Sequence, residues 1–313
     1  MVLIRAFEDK VHELFAQGRI PGFVHLYAGE EAVAVGVISN LEKGDYITST
    51  HGGHGHCIAM GVDIKGMMAE LFGRKTGRVR VREVIQLTSL RMTIAERMTE
   101  SLRTMAQVTI CREEVVDNVV KIREELLPLI EKEVGIRLTY TPILIKLVAE
   151  VLKEFPIINS TLEDNMIKVI DEINIGFAVA VDHGLIVPVV KEADKKSLKE
   201  AVIICNELTR KTRERRLSIE DVSGTFTIIN LGIYGIDAFT PIINPPQIAI
   251  LGVGRFVQKP VVQEGRVNIT TVCTFSLTFD HRVVDGHTAA QFLDKLVSLI
   301  KDESRLRAVL SVK

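Results

Sequence analysis

His281, with Asp285 four positions on in the run Asp280-His281-Arg282-Val283-Val284-Asp285-Gly286, is the pair in this 313-residue chain best suited to chemistry. Imidazole is the side chain matched to moving protons at neutral pH, and a nearby carboxylate can hold it in place. The same pair also suits a plain surface turn, since one histidine and one aspartate define no reaction. Residues 271–279 alternate apolar and polar side chains, which predicts a half-buried strand delivering His281 to a sheet edge. Beyond Gly286, the residues Ala289, Phe292, Leu293, Leu296, Leu299 and Ile300 recur at helical spacing. A histidine between strand and helix is positioned rather than mobile.

Composition narrows the classes. Lys plus Arg (39) balances Asp plus Glu (40), so neither nucleic acid nor an anionic membrane is an expected partner, and 47% hydrophobic content supports a buried core. The basic run Arg210-Lys-Thr-Arg-Glu-Arg-Arg216 is interrupted by Glu214 and reads as a solvated helix end. Cys57, Cys111, Cys205 and Cys273 lie far apart with no Cys-x-x-Cys pair, which predicts reduced thiols. The N-terminus carries acids in its first turns, unlike a secretory signal, and no apolar run approaches ~20 residues. A soluble, cytoplasmic protein is expected.

Two unlike pieces abut near Arg78-Val-Arg-Val-Arg82 without a linker: residues 1–78, short and mainly helical, and residues 79–313, mixed α/β. In the first, Leu3, Ile4, Phe7, Val11, Leu14 and Phe15 mark an amphipathic helix over 2–16 ending near Gly18, and a second helix starts after Gly29. The cluster His51-Gly-Gly-His-Gly-His56 suggests metal, yet no cysteine or carboxylate completes a ligand set, so no metal site is assigned. In the second, Ser89 caps a helix whose Met92, Ala95, Met98, Leu102 and Met105 form a buried stripe, followed by a strand over 107–111. Thr141-Pro142 opens another helix that stops at Pro156. His183, beside Gly184, reads as turn chemistry. Strands near 224–230, 247–253 and 267–280 complete a sheet.

The pattern His281-x-x-x-Asp285-Gly286 resembles the catalytic signature of dihydrolipoamide acyltransferases, core subunits of 2-oxo acid and acetoin dehydrogenase complexes, which chloramphenicol acetyltransferase shares. Three further segments are similar to the same family in order: Leu90-Arg-Met-Thr-Ile-Ala-Glu-Arg-Met98, Asn174-Ile-Gly-Phe-Ala-Val-Ala-Val181 with Gly184-Leu-Ile-Val-Pro188, and Gly224-Thr-Phe-Thr-Ile-Ile-Asn-Leu-Gly232 with Phe239-Thr-Pro-Ile-Ile-Asn-Pro-Pro246. The resemblance covers 79–313 and implies an α/β fold, a chloramphenicol-acetyltransferase-like two-layer sandwich with a mixed sheet. It also implies homotrimers with the active site shared across the interface, assembling into octahedral or icosahedral cores.

The implied reaction moves an acyl group between dihydrolipoamide and coenzyme A, with His281 as base. A thiol with pKa near ~8.5 is only a few per cent ionised at neutral pH, while an imidazole near ~6.5 can take its proton. Attack on the thioester makes an oxyanion. In the family a Ser or Thr hydroxyl usually donates to it, from the position held here by Ile229, which cannot donate. Thr227 or Asn230 are the candidate substitutes. Impaired turnover, or a purely structural core subunit, is the alternative reading. The resemblance also implies an ion pair between Asp285 and an arginine of the first domain helix, Arg97 in preference to Arg91. Neither a lipoyl domain nor a peripheral-subunit-binding domain is recognisable, so the lipoyl group is expected in trans. Acetyl is the expected acyl group, because the N-terminal piece and residues 104–109, with Gln107 where other members often have histidine, both look acetoin-type.

Residues 1–78 resemble the amino-terminal part of the alpha subunit of thiamine-diphosphate-dependent 2-oxo acid dehydrogenases, through Pro21-Gly-Phe-Val-His-Leu-Tyr27, Gly29-Glu-Glu-Ala32 and the histidine cluster. Gly52 stands where that family usually has an arginine for the diphosphate, and the later metal-diphosphate motif is not reached. Thiamine diphosphate is therefore not expected, and Ile4, Phe7, Leu14 and Phe23 are expected to be partly exposed.

Overall fold

Apolar spacing winds the first residues into helix α1 (Val2–Ala16), and Gly18, at φ +67°, follows its end in a left-handed conformation open to glycine. The computed structural model describes residues 1–21, 26–42, 47, 53–72, 85–181, 184–263 and 265–310. It divides into two units, Met1–Gln86 and Leu87–Lys313. His51, Gly52, Phe23, the join at 78–82, Asp182 and His183 lie outside the described residues.

In the first unit α2 (Glu31–Ile38), α3 (His54–Ala59) and α4 (Ile64–Leu71) follow α1. Asp63 caps α4, its carboxylate accepting the Lys65 and Gly66 amides at 3.2 and 2.9 Å. Contrary to expectation, Ile4, Phe7 and Leu14 are buried, because Val11, Ile20, Tyr27, Ala34 and Ile58 close a small core with them. Only Leu3 and Phe15 of the predicted stripe face solvent. His54 Nδ1 lies 3.1 Å from Glu8 Oε1 and its ring meets Phe7 edge-on, while His56 meets Tyr27 in the same way. Two of the three clustered histidines are thus used in packing, and among the described residues no group of three or more potential ligands is placed to hold a metal.

Glu31 ties this unit together by accepting hydrogen bonds from Arg5 and from the Gly29 amide. Arg5 first, then its own backbone amide and that of Gly29, hold its carboxyl down at about 2, from an ordinary 4.5. A lowered folded-state value means stability fully present above pH 4.5 and lost as the pH falls toward 2. Protection factors of the α1 amides, taken relative to intrinsic exchange at each pH, are expected to fall across that window. Glu31→Gln should raise exchange at neutral pH and remove its contribution to the acid dependence.

The second unit opens on α5 (Ser89–Thr104), capped by Thr88, one residue before the expected Ser89, through the Arg91 amide at 3.3 Å. Its predicted stripe is not buried: Met92 and Leu102 are exposed, as are Leu87 and Leu90 alongside. Amphipathic spacing identifies an apolar face but not what covers it, and among the described residues of this unit nothing covers most of that one. Strand β1 (Gln107–Val115), helix α6 (Asp117–Val134) and helix α7 (Tyr140–Leu152) come next. Helix α7 begins after Thr139, earlier than expected, with Pro142 still in its first turn. Then follow β2 (Ser160–Glu163), β3 (Met166–Val169), β4 (Ile175–Phe177), β5 (Val179–Val181), β6 (Gly184–Ile186), β7 (Val189–Val190) and α8 (Leu198–Arg213), the last closed by a Ser197/Glu200 capping box. Strands β8 (Phe226–Asn230), β9 (Ala249–Val253), β10 (Val257–Gln263) and β11 (Arg266–Asp280) and helices α9 (Gly286–Lys301) and α10 (Glu303–Val309) complete the unit.

The sheet runs β1-β11-β9-β8-β4-β7, with β10 also on β11. It is mixed: β4, β8 and β9 are parallel, while β11 is antiparallel to β1, β9 and β10. Helices α6, α7, α8 and α9 pack with it around one core containing Phe226, Phe275, Phe279 and Phe292, so the α/β sandwich expectation holds. Strand β11 corrects the sequence reading twice. It lies inside the sheet rather than at an edge, and from Phe275 to Asp280 it is buried on both faces. Its polar face is satisfied internally: Thr278 shares a hydrogen bond with Thr109 at 2.7 Å, and Ser276 accepts from Cys111 Sγ at 3.3 Å. Among the described residues no helix is long and apolar enough to cross a membrane.

Candidate active site

His281 is the first residue after β11, exposed on a turn that leads into α9. Its amide donates to the Ala106 carbonyl at 2.9 Å, and its ring lies 5.8 Å from that of Phe279. The turn is closed by the Asp280 carbonyl, which accepts from Val283 and Val284, both at 3.0 Å. The backbone of the histidine is therefore fixed while its imidazole reaches solvent.

Asp285 does not form the expected ion pair. It is the N-cap of α9, its Oδ1 accepting the Thr288 amide at 2.8 Å, which holds the carboxyl below its usual range. A helix N-terminus is a favourable partner for a carboxylate. Arg97 and Arg91 are exposed on α5, and among the described residues neither pairs with Asp285. The arginine next to the histidine does pair: Arg282 grips the buried Asp280. Sequence reasoning passed over that pair, since a strand-end Asp followed by Arg gives no periodic signal.

The other half of the predicted site lies elsewhere. Ile229 is aligned with Gly252 on β9, and Gly252 with Ser276 on β11. His281 stands five residues past Ser276, which at ~3.4 Å per residue is about 17 Å along the strand, and two strand spacings of ~4.8 Å separate β8 from β11. The His281 and Ile229 of one chain are thus at opposite ends of the sheet and cannot act on the same atom.

Thr227, one of the two candidate oxyanion donors, is fully buried, and its hydroxyl donates to Gln247 Oε1 at 2.6 Å. It is spent within the fold and is withdrawn as a donor. Asn230 differs. Its Oδ1 accepts the Gly232 amide at 2.9 Å, leaving the side-chain NH2 as the donor, and the residue lines a cavity of about 670 Å³. The chain here is tightly threaded: a Cβ on Gly232 would fall 2.4 Å from the Gly254 carbonyl oxygen, so only glycine fits. Ile229 itself is half-buried.

The same cavity is lined by Arg123, Arg137 and Arg213, a concentration of guanidinium groups suited to phosphate. Arg123 is anchored by its Nε on the Leu138 carbonyl at 3.1 Å and lies over the Tyr140 ring. Cys205 also lines it, but burial pushes its thiol up to about 12, so it stays protonated and is no nucleophile.

A mixed-sheet α/β catalytic domain with a histidine at a rigid strand-to-helix turn is the class that fold and site define. The family model for 2-oxoacid dehydrogenases acyltransferase (catalytic domain) matches residues 80–308, and the chain belongs to that family. A second model, the dehydrogenase E1 component, matches residues 1–109. The acetyltransferase component of the acetoin cleaving system of Bacillus subtilis is 37% identical over 223 residues, 71% of this chain and 56% of that protein. The chain spans about half the length of the curated relatives it matches. Among solved structures, the cubic core of a pyruvate dehydrogenase multienzyme complex superposes with a TM-score of 0.70 at 34% identity, covering 75% of this chain and 95% of that one. So does the dihydrolipoamide acetyltransferase of Azotobacter vinelandii, studied for the role of a serine, a histidine and an asparagine in its catalytic mechanism, with the same TM-score, identity and coverage.

Proposed function

We propose that this chain transfers an acyl group, acetyl in the first instance, between the thiol of dihydrolipoamide and that of coenzyme A within a 2-oxo acid or acetoin dehydrogenase complex. His281 is the general base. The carrying observation is the fixed turn that displays His281 in a chain of this family. In the Azotobacter vinelandii enzyme the serine lies 52 residues before the histidine and the asparagine four after it. The same offsets from His281 fall on Ile229 and Asp285. The arginine-lined cavity that reaches Asn230 suits the phosphates of coenzyme A, and dihydrolipoamide is the other thiol of the reaction.

The separation of His281 from Asn230 within one chain supports a homotrimer in which the base of one copy faces the cavity end of the next. The exposed Met92 and Leu102, within about 80° of each other around α5, offer apolar area for such packing. The cubic-core relative supports further assembly into an octahedral or icosahedral shell. Residues 1–78 are read as an appended segment without thiamine chemistry.

Steady-state transfer from acetyl-coenzyme A to free dihydrolipoamide, with succinyl-coenzyme A alongside, tests the activity and acyl preference, and analytical ultracentrifugation tests the trimer. A monomer in solution would sink the shared-site reading. A second reading, a core subunit with weakened catalysis, is favoured by Ile229 together with the commitment of Thr227 to Gln247. Thr227→Val should leave the transfer rate within about twofold while costing about 1–3 kcal/mol in urea unfolding, from the orphaned Gln247 acceptor.

A further inference from the structure

Asp280 is a fully buried carboxylate immediately before the proposed base, and every polar atom it has is engaged. Its Oδ1 accepts the Ala106 amide at 3.3 Å and the Arg282 amide at 3.1 Å. Both its oxygens take the Arg282 guanidinium, through Nε at 3.0 Å and Nη2 at 2.6 Å. Its amide donates to the Ile248 carbonyl at 2.8 Å, and its own carbonyl closes the turn. One side chain therefore joins three segments: the α5–β1 connection, β11 and the turn that carries His281.

Stability does not explain this choice. Burying the Asp280 carboxylate carries a desolvation cost that its pairing with the half-exposed Arg282 must offset, so the pair is no clear gain over apolar packing. What such a group does supply is a unique geometry, since each of its donors must lie where the carboxylate is. The donors here bracket the histidine. Ala106 gives its amide to Asp280 and its carbonyl to the His281 amide, so the two strand ends are locked in both directions at the base. A second bracket extends the lock. Gln107 donates to Ser101 Oγ at 2.8 Å and accepts the Ile243 amide at 3.2 Å, while Ser101 donates to the Ile243 carbonyl at 2.6 Å.

We infer that Asp280 is a positioning residue for His281, holding the turn through the Ala106 amide and the Arg282 guanidinium so that the imidazole has one orientation. The consequence for rate rests on the acyl-transfer reading. The consequence for the imidazole does not.

The test uses the full chain with 13Cε1-labelled histidine, the His281 signal being assigned by its loss in His281→Ala. The parent chain should give one narrow His281 resonance. Asp280→Ala should split or broaden it and lower kcat by about 10²-fold with KM within twofold, the scale on which a ~1 Å misplacement acts. Asp280→Asn keeps an acceptor for both amides but turns an NH2 toward the Arg282 guanidinium, so it should narrow the His281 signal and recover kcat only in part relative to Asp280→Ala, a graded rescue that a merely structural loss would not show. Arg282→Gln, at a half-exposed side chain, gives a milder variant should Asp280→Ala fail to fold, and a broadened His281 signal is expected there too. An unchanged His281 resonance in the folded variants overturns the inference whatever the rates. A parent chain without acyl transfer whose His281 signal still broadens in Asp280→Ala upholds the positioning and sinks the acyl-transfer reading instead.

Discussion

His281→Ala is expected to lower acyl transfer at pH 7 by about 10²–10⁴-fold, the usual contribution of a positioned general base. The attacking group in either direction is a thiol, and with a pKa near ~8.5 only a few per cent is thiolate at neutral pH. A base at the attacking sulfur removes that penalty and a base lost restores it. The defect should therefore be pH-dependent in a definite sense. As pH rises through ~8.5 the thiol ionises unaided, and the ratio of parent to variant rates should contract. A ratio constant from pH 6 to 10 would assign His281 some other role. The fold should tolerate the change: the side chain is exposed, and the backbone amide bonded to Ala106 survives truncation.

Ile229→Ser is expected to raise turnover by up to about 10²-fold, since one oxyanion donor commonly accounts for ~10²–10³ in rate, or ~3–4 kcal/mol. Ile229 is aligned with Gly252, where a Cβ would fall 2.8 Å from the Phe239 ring, so the neighbouring strand presents ring and backbone rather than a side chain. Ile229→Ala separates the effects of space and hydroxyl: it should not share the gain. Equal rates for the parent, Ile229→Ser and Ile229→Ala would show that another donor already serves the oxyanion, with the NH2 of Asn230 the remaining candidate. Activity in the parent near that of Ile229→Ser would end the weakened-core reading.

Local patterns carried much of the architecture. Period 3.6 marked α1 to the residue and located α9, and period 2 located β11, because these elements answer to one apolar face each. Caps were harder. Thr88 rather than Ser89 starts α5, and α7 begins near Thr139, since adjacent hydroxyl residues are equivalent in sequence and only the entering backbone distinguishes them. The burial of Ile4, Phe7 and Leu14 was missed for a different reason: those residues find partners in Tyr27, Ala34 and Ile58, far along the chain.

For the candidate site, residue type and spacing singled out His281, the resemblance to the family pointed to Ile229 and Asn230, and side-chain basicity and hydrogen-bond donation set what each could or could not do. Tertiary structure decided the rest. The ladder that puts β11 and β9 between β1 and β8 separates His281 from Ile229, turns Asp285 into a helix cap, spends Thr227 on Gln247 and surrounds Asp280 with donors. Strand order and register are set by pairings between distant residues, as in the bond from Ala106 to Asp280, 174 positions apart, and no local periodicity encodes a contact of that span.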